Sequence, residues 1–136
     1  MGYVLGLDLH GVIDTSPHFF TILANVVIND GGEVHVITGS RETDEIHKQI
    51  VELGVPYTDF FSITDQLLSE GHEHTINEDG TYNFDEELWN SLKGHYCSLI
   101  GADTHYDDSL IYKDYFKTSF IWWNKKTTSC LTNPEG

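Results

Sequence analysis

The stretch Tyr3-Val4-Leu5-Gly6-Leu7-Asp8-Leu9-His10-Gly11-Val12-Ile13-Asp14 decides the fold. A short apolar run ends in a carboxylate, and a glycine-containing loop follows at once. A run this short, bounded by polar and glycine residues, reads as a buried strand. In an open α/β sheet, ligands bind just beyond the carboxyl ends of the strands. A carboxylate there can simply cap a turn, so the weight of Asp8 depends on what the rest of the chain brings to the same edge.

Working outward, Ser16-Pro17 opens a helix, with Ser as cap and Pro at the first position. Phe19, Phe20, Ile22, Leu23, Val26, Val27 and Ile28 make that helix apolar, and Asp30-Gly31-Gly32 ends it. Residues 33–37 form a second strand, which completes a βαβ unit. Thr38-Gly39-Ser40-Arg41 is a loop, and residues 43–53 are helical with Gly54 as the stop. Residues 60–63 give a third short strand. Residues 72–84 form a hairpin turning at Asn77-Glu78-Asp79-Gly80. A helix runs from Phe84-Asp85 through Leu99, and 102–109 is a short strand entering a loop. Residues 112–116 make a helical turn and 120–123 a last strand, while 125–136 form a polar, frayed tail. Strands alternating with helices predict a parallel sheet covered on both faces. Asp8, Thr38, Asp107 and Asp108 are then delivered to one carboxyl edge.

With 22 acidic and 7 basic residues the chain carries a formal charge of −15. That field opposes nucleic acid and anionic membranes and favours divalent cations. Trp122-Trp123 reads as an aromatic edge strand packed on a helix rather than a base-stacking platform. Two cysteines, Cys97 and Cys130, are too few for a disulfide framework and predict free thiols. No run approaches a membrane helix, and the opening residues have no secretory pattern. The expectation is a cytoplasmic protein of one α/β domain spanning residues 1–136.

The gathered residue types suit phosphoryl transfer, which needs a nucleophile, cations, oxygen-binding donors and a proton donor. Asp8 is the candidate nucleophile. Mg²⁺ relieves the repulsion between a carboxylate and a phosphate, and it favours one or two carboxylates with backbone oxygen and water. Asp8 with Asp107 and Asp108 meets that count. Thr38 offers a hydroxyl, the Gly39 and Ser40 amides offer phosphate donors, and Lys93 offers the positive charge. Gly11 allows close approach of the loop to a ligand. Asp103 is an alternative end-of-strand carboxylate, but Lys93 lies 14 residues before Asp107, a fitting helix-to-strand distance, which favours Asp107-Asp108.

The order Asp8-x-x-Gly11-Val12, Val36-Ile37-Thr38-Gly39, Lys93, then Tyr106-Asp107-Asp108-Ser109 resembles the haloacid dehalogenase-like (HAD) superfamily of phosphohydrolases over nearly the whole chain. The resemblance implies a Rossmann-like, HAD-type sheet and an aspartyl-phosphate on Asp8, with Thr38 binding the phosphate and Lys93 stabilising charge. It also implies Mg²⁺ held by Asp8, by the backbone carbonyl of His10 and by Asp107 or the Asp107-Asp108 pair. The intervals between these motifs hold no cap domain, so the chain looks like a capless member. The 72–84 hairpin is then a partial flap or surface decoration. An open site suits a larger phosphorylated substrate or a lid from a second subunit, as in a homodimer.

One position departs from the family pattern. His10 stands where the phosphatases usually carry a second Asp as general acid and base. Histidine titrates near neutrality and can do that work, or its presence can leave a slow or non-catalytic phosphate- and metal-binding module. A phospho-accepting regulator is a third reading. Asp14 is expected to cap the following helix. Arg41 is expected to contact substrate anions or to make a salt bridge. His72 and His74 with Glu73 are a weak metal motif, His35 reads as a satisfied strand histidine, and His18, His47, His95 and His105 show no partner at informative spacing.

Overall fold

The computed structural model describes residues 2–124, so the expected polar tail at 125–136, with Cys130, lies outside the described residues. The elements in chain order are β1 (Val4–Leu7), α1 (Pro17–Asn29), β2 (Glu33–Thr38), α2 (Asp44–Leu53), β3 (Asp59–Ser62), α3 (Ile63–Ser69), β4 (Thr75–Ile76), β5 (Tyr82–Asn83), α4 (Glu86–Ile100), β6 (Thr104–Asp107) and β7 (Ser119–Trp122). A 3₁₀ helix, Leu110–Tyr115, joins β6 to β7.

Five strands form a parallel sheet in the order β3-β2-β1-β6-β7. The chain winds outward from β1 to β3, then crosses back to lay β6 on the other side of β1. Strand order therefore reverses between β1 and β6, where open α/β sheets leave a crevice. Leu7 is in register with Tyr106, and the Asp8 amide donates to the Tyr106 carbonyl at 3.1 Å. That register sets Asp8 and Asp107 side by side at the mouth of the crevice.

Helices cover both faces, as the alternation predicts. On one face Leu5, Leu7, Val34 and Val36 meet Phe20, Ala24 and Val27 of α1 and Ile46 and Ile50 of α2. The buried residues of α1 recur at i, i+4 and i+7, the inner stripe of an amphipathic helix, while Phe19, Ile22 and Val26 are exposed. On the other face Ile37 packs with Cys97 of α4 and with Phe61, Tyr96 and Phe116. Burial pushes the Cys97 thiol up to about 12, so it packs as a small apolar side chain. Trp123, just past β7, stacks on Phe19 at 5.3 Å and meets Phe20 edge-on at 5.0 Å. Trp123 thus makes the edge-strand-on-helix packing expected of the pair, whereas Trp122 is exposed and donates from Nε1 to the Asp108 carbonyl at 3.1 Å.

Two local readings need correction. Residues 63–69 form α3, which the apolar pattern did not suggest. Its signal is a capping sequence: the Ser62 hydroxyl accepts from the Asp65 amide at 3.0 Å. The helical turn expected at 112–116 is the 3₁₀ helix beginning at Leu110. The hairpin is present, with β4 and β5 antiparallel. Among the described residues, no helix is long and apolar enough to cross a membrane.

The asymmetry of α1 is directly testable. Phe20→Ala should lower unfolding free energy by about 3–5 kcal/mol. Phe19→Ala should lower it by roughly 1 kcal/mol, the scale of one aromatic pair. Urea denaturation of both variants reads the difference, and equal losses would contradict the packing of this face.

Candidate functional site

Asp8 leaves β1 directly into a tight turn. The Leu9 amide donates to its Oδ1 at 3.0 Å, and the turn closes through Ile13 N to Asp8 O at 3.4 Å and Asp14 N to Leu9 O at 3.2 Å. Gly11 adopts φ +86°, a conformation that side chains other than glycine rarely hold. A Cβ at Gly11 would also collide with the Asp108 carboxylate. The close approach anticipated at Gly11 is thus to the acidic pair itself. Asp14 does not cap α1, as the sequence suggested. Its carboxylate accepts from the Gly11 amide at 2.8 Å and lies 3.4 Å from His10 Nδ1, so it ties the turn together.

Asp8, Asp107 and Asp108 each offer an oxygen, and the three lie within 4.8 Å of one another. Asp8 is only 7 % exposed and Asp107 is fully buried. Lys93, on α4 and 2 % exposed, reaches between them: Nζ is 2.8 Å from Asp107 Oδ2 and 3.3 Å from Asp8 Oδ1. Its ammonium also sits 4.5 Å from the centre of the Tyr112 ring. Burial alone would depress the Lys93 amine, but Asp8 and Asp107 more than reverse this and hold it charged.

Three carboxylates and one ammonium leave the cluster acidic. Burial raises the Asp8 carboxyl; Lys93 pulls it down, but Asp107 and Asp108 push it up again, and it ends at about 7. The Asp108 carboxylate lies beside Asp8 and disfavours its ionisation. Burial also works to raise Asp107, yet the hydrogen bond from His105 and the charge of Lys93 outweigh it and hold that carboxyl below its usual range. This donor set, all carboxylate oxygen and converging, suits a hard divalent cation.

His105 is the residue the sequence reading missed. It is fully buried, and its Nε2 lies 2.9 Å from the same Asp107 oxygen that Lys93 holds. Burial holds the imidazole below its ordinary value. A neutral ring donating from Nε2 orients the carboxylate without neutralising it. The available signal was spacing, since residues two apart on a strand share a face. Asp107 Oδ1 accepts the Ser109 amide at 3.1 Å.

Thr38 ends β2 beside this cluster and is buried. Its hydroxyl accepts the Ser40 amide at 3.2 Å, while the Gly39 carbonyl accepts from Thr64 Oγ1 at 2.6 Å. The edge of the Trp89 indole abuts the glycine: a Cβ at Gly39 would stand 2.7 Å from it. Asp8, His10, Thr38, Gly39, Ser40, Lys93 and Asp108 all line one cavity of about 570 Å³. Asp107 lies beneath it. The hairpin turn also lines it, through Gly80, Thr81 and Tyr82, so the hairpin is a flap over the site rather than surface decoration. Arg41 lines it too while pairing with Asp65 at 2.7 Å. The His10 side chain is 55 % exposed at the rim.

Other candidates fall elsewhere. Asp103 sits at the opposite end of the sheet, where its Oδ2 accepts the Val4 amide at 2.8 Å. His35 is buried, with Nε2 2.8 Å from Glu33 and 3.4 Å from Asp59 and Nδ1 2.8 Å from the Tyr96 hydroxyl. These contacts satisfy it as a strand histidine. His47 does have partners, Glu42 and the Tyr57 hydroxyl. His72 pairs with Glu70 at 3.0 Å, and His74 contacts the His72 carbonyl.

The raised Asp8 carboxyl has a pH signature. Its folded-state value, about 7, lies above that of the unfolded chain, so its stabilising contribution is complete below about pH 4 and is lost as pH rises through 7. Asp107 has the opposite sign and acts at more acid pH. In EDTA, Asp8→Asn should therefore gain stability relative to the parent between pH 5 and 8, read by urea denaturation at each pH. Parallel profiles would rule out a buried Asp8 whose carboxyl is raised. Compared with protein-family models, curated proteins and solved structures, the chain shows no match.

Proposed function

We propose that this chain is a cation-dependent phosphomonoester phosphohydrolase of HAD type, working through an aspartyl-phosphate on Asp8. One observation carries the reading. A buried carboxylate at the carboxyl end of the central strand converges with two further carboxylates and a buried lysine, beneath a cavity lined by a Thr-Gly-Ser loop.

Mg²⁺ fits the Asp8, Asp107 and Asp108 oxygens, with the His10 carbonyl as a further ligand, and would supply charge neutralisation at the phosphate. The chain's own residues do the rest. An Asp8 oxygen attacks phosphorus in line with the ester oxygen, and the P–O ester bond breaks. Lys93, pinned by Asp8 and Asp107, holds positive charge where phosphate oxygens gather. The Thr38 hydroxyl and the Gly39 and Ser40 amides bind those oxygens, with Ser40 N exchanging its bond to Thr38 for one to the ligand. His10, at the rim and beside Asp14, gives its proton to the leaving oxygen. It then takes one from the water that attacks the aspartyl-phosphate and frees Asp8. The Asp14 carboxylate, 3.4 Å from Nδ1, orients the imidazole.

The test is turnover of a phosphomonoester panel with Mg²⁺ or EDTA. Activity should require the cation, and Asp8→Asn should lower kcat at least about 10³-fold. His10→Gln should lower it by about 10²-fold for alkyl esters. The loss should shrink for p-nitrophenyl phosphate, whose leaving group needs no proton. Phosphate uptake from acetyl phosphate without release would instead make the chain a phospho-accepting regulator. Cation binding with neither reaction would make it a binding module.

A further inference from the structure

The cavity is larger than a phosphate needs, and its outer wall is aromatic. Tyr82 comes from the hairpin, Trp89 from the first turns of α4 and Tyr112 from the 3₁₀ helix, and all three line the space above the acidic cluster. Their placement is built. The Trp89 indole lies against Gly39, donates from Nε1 to the Tyr112 hydroxyl at 3.3 Å, and runs nearly parallel to Phe84 (15°, centroids 6.2 Å). Phe84 in turn is within 21° of parallel with Tyr82 at 6.3 Å. The Arg41 guanidinium sits 5.8 Å from the Tyr82 ring centre while Asp65 holds its Nε. Besides Lys93, which Asp8 and Asp107 occupy, Arg41 is the only Lys or Arg among the described residues that lines this cavity.

We infer that the leaving group is a nucleoside, so that the substrate is a nucleoside monophosphate with its base against the Tyr82, Trp89 and Tyr112 wall beside Arg41. This rests on the phosphohydrolase reading above. Near-parallel rings fixed beforehand bind another flat ring with little ordering entropy. Every base has a stacking face. A guanidinium stacks on such a ring and donates to the carbonyl and imine acceptors of its edge, for which a plain phenyl ring has no acceptor and a sugar no flat face. A cavity of about 570 Å³ falls within the size range of small-molecule sites. The acidic chain, at −15, opposes a polynucleotide and leaves the mononucleotide as the fitting form.

The experiment compares kcat/KM for nucleoside 5′-monophosphates, ribose 5-phosphate, glycerol phosphate and a phosphotyrosyl peptide, with Mg²⁺. The parent should prefer the nucleotide over ribose 5-phosphate by about tenfold or more. Tyr82→Ala should collapse that ratio, and Tyr82→Phe should restore it, because the ring and not the hydroxyl makes the stack. In EDTA, Asp8→Asn should show tryptophan quenching with the nucleotide and none with ribose 5-phosphate. Turnover that is equal for both esters and indifferent to Tyr82 overturns the nucleoside assignment and leaves the phosphohydrolase standing. Preference for the phosphotyrosyl peptide overturns it as well. No turnover of any ester removes both.

Discussion

A lysine ammonium buried between two carboxylates is the constraint on which this structure turns. Lys93 is almost inaccessible, yet it is charged, and an unpaired charge in that position would be strongly destabilising. Asp8 and Asp107 supply the compensation, so α4 can dock only where it delivers its lysine between the ends of β1 and β6. That docking closes one face of the sheet and makes the crevice a charged floor. His105 adds a second hold on Asp107 from within the sheet. The carboxylate therefore has little freedom to rotate away from the cluster.

Three carboxylates against one ammonium leave the cluster two negative groups in excess. Asp8, Asp107 and Asp108 repel one another at this distance, and a divalent cation would relieve that repulsion. The turn carrying Gly11 presses against Asp108 and so keeps the third carboxylate close. Around this floor the chain places donors from the end of β2 and aromatic rings from three separate segments. A compact acidic floor and an aromatic outer wall thus come from separate parts of the chain.

Much of the floor was legible in the sequence because each residue in it lies at a place that local pattern locates. Asp8 and Thr38 end apolar runs, Asp107 and Asp108 end another, and Lys93 lies on a helix of clear period. Strand ends of a parallel sheet converge by topology, so their meeting followed from the alternation of elements. The residues that escaped reading are those whose partners are remote. Trp89 gains its position from Gly39, some 50 residues earlier, and Tyr112 from Trp89. Asp14 has the look of a helix cap, and only the path of the turn bends it back to Gly11 and His10. Helix α3 is short, and its capping serine was hidden in what looked like strand.

By itself the sequence determined the parallel α/β plan, the edge at which its polar residues gather and the helices α1, α2 and α4 that connect its strands, because periodicity and turn chemistry act over a few residues. Tertiary structure alone decided that Lys93 bridges two carboxylates, that His105 braces one of them, and that the hairpin brings Tyr82 over the cavity. Those contacts join groups far apart in the chain, and their energy depends on burial and on distances of about 3 Å, which no local pattern encodes.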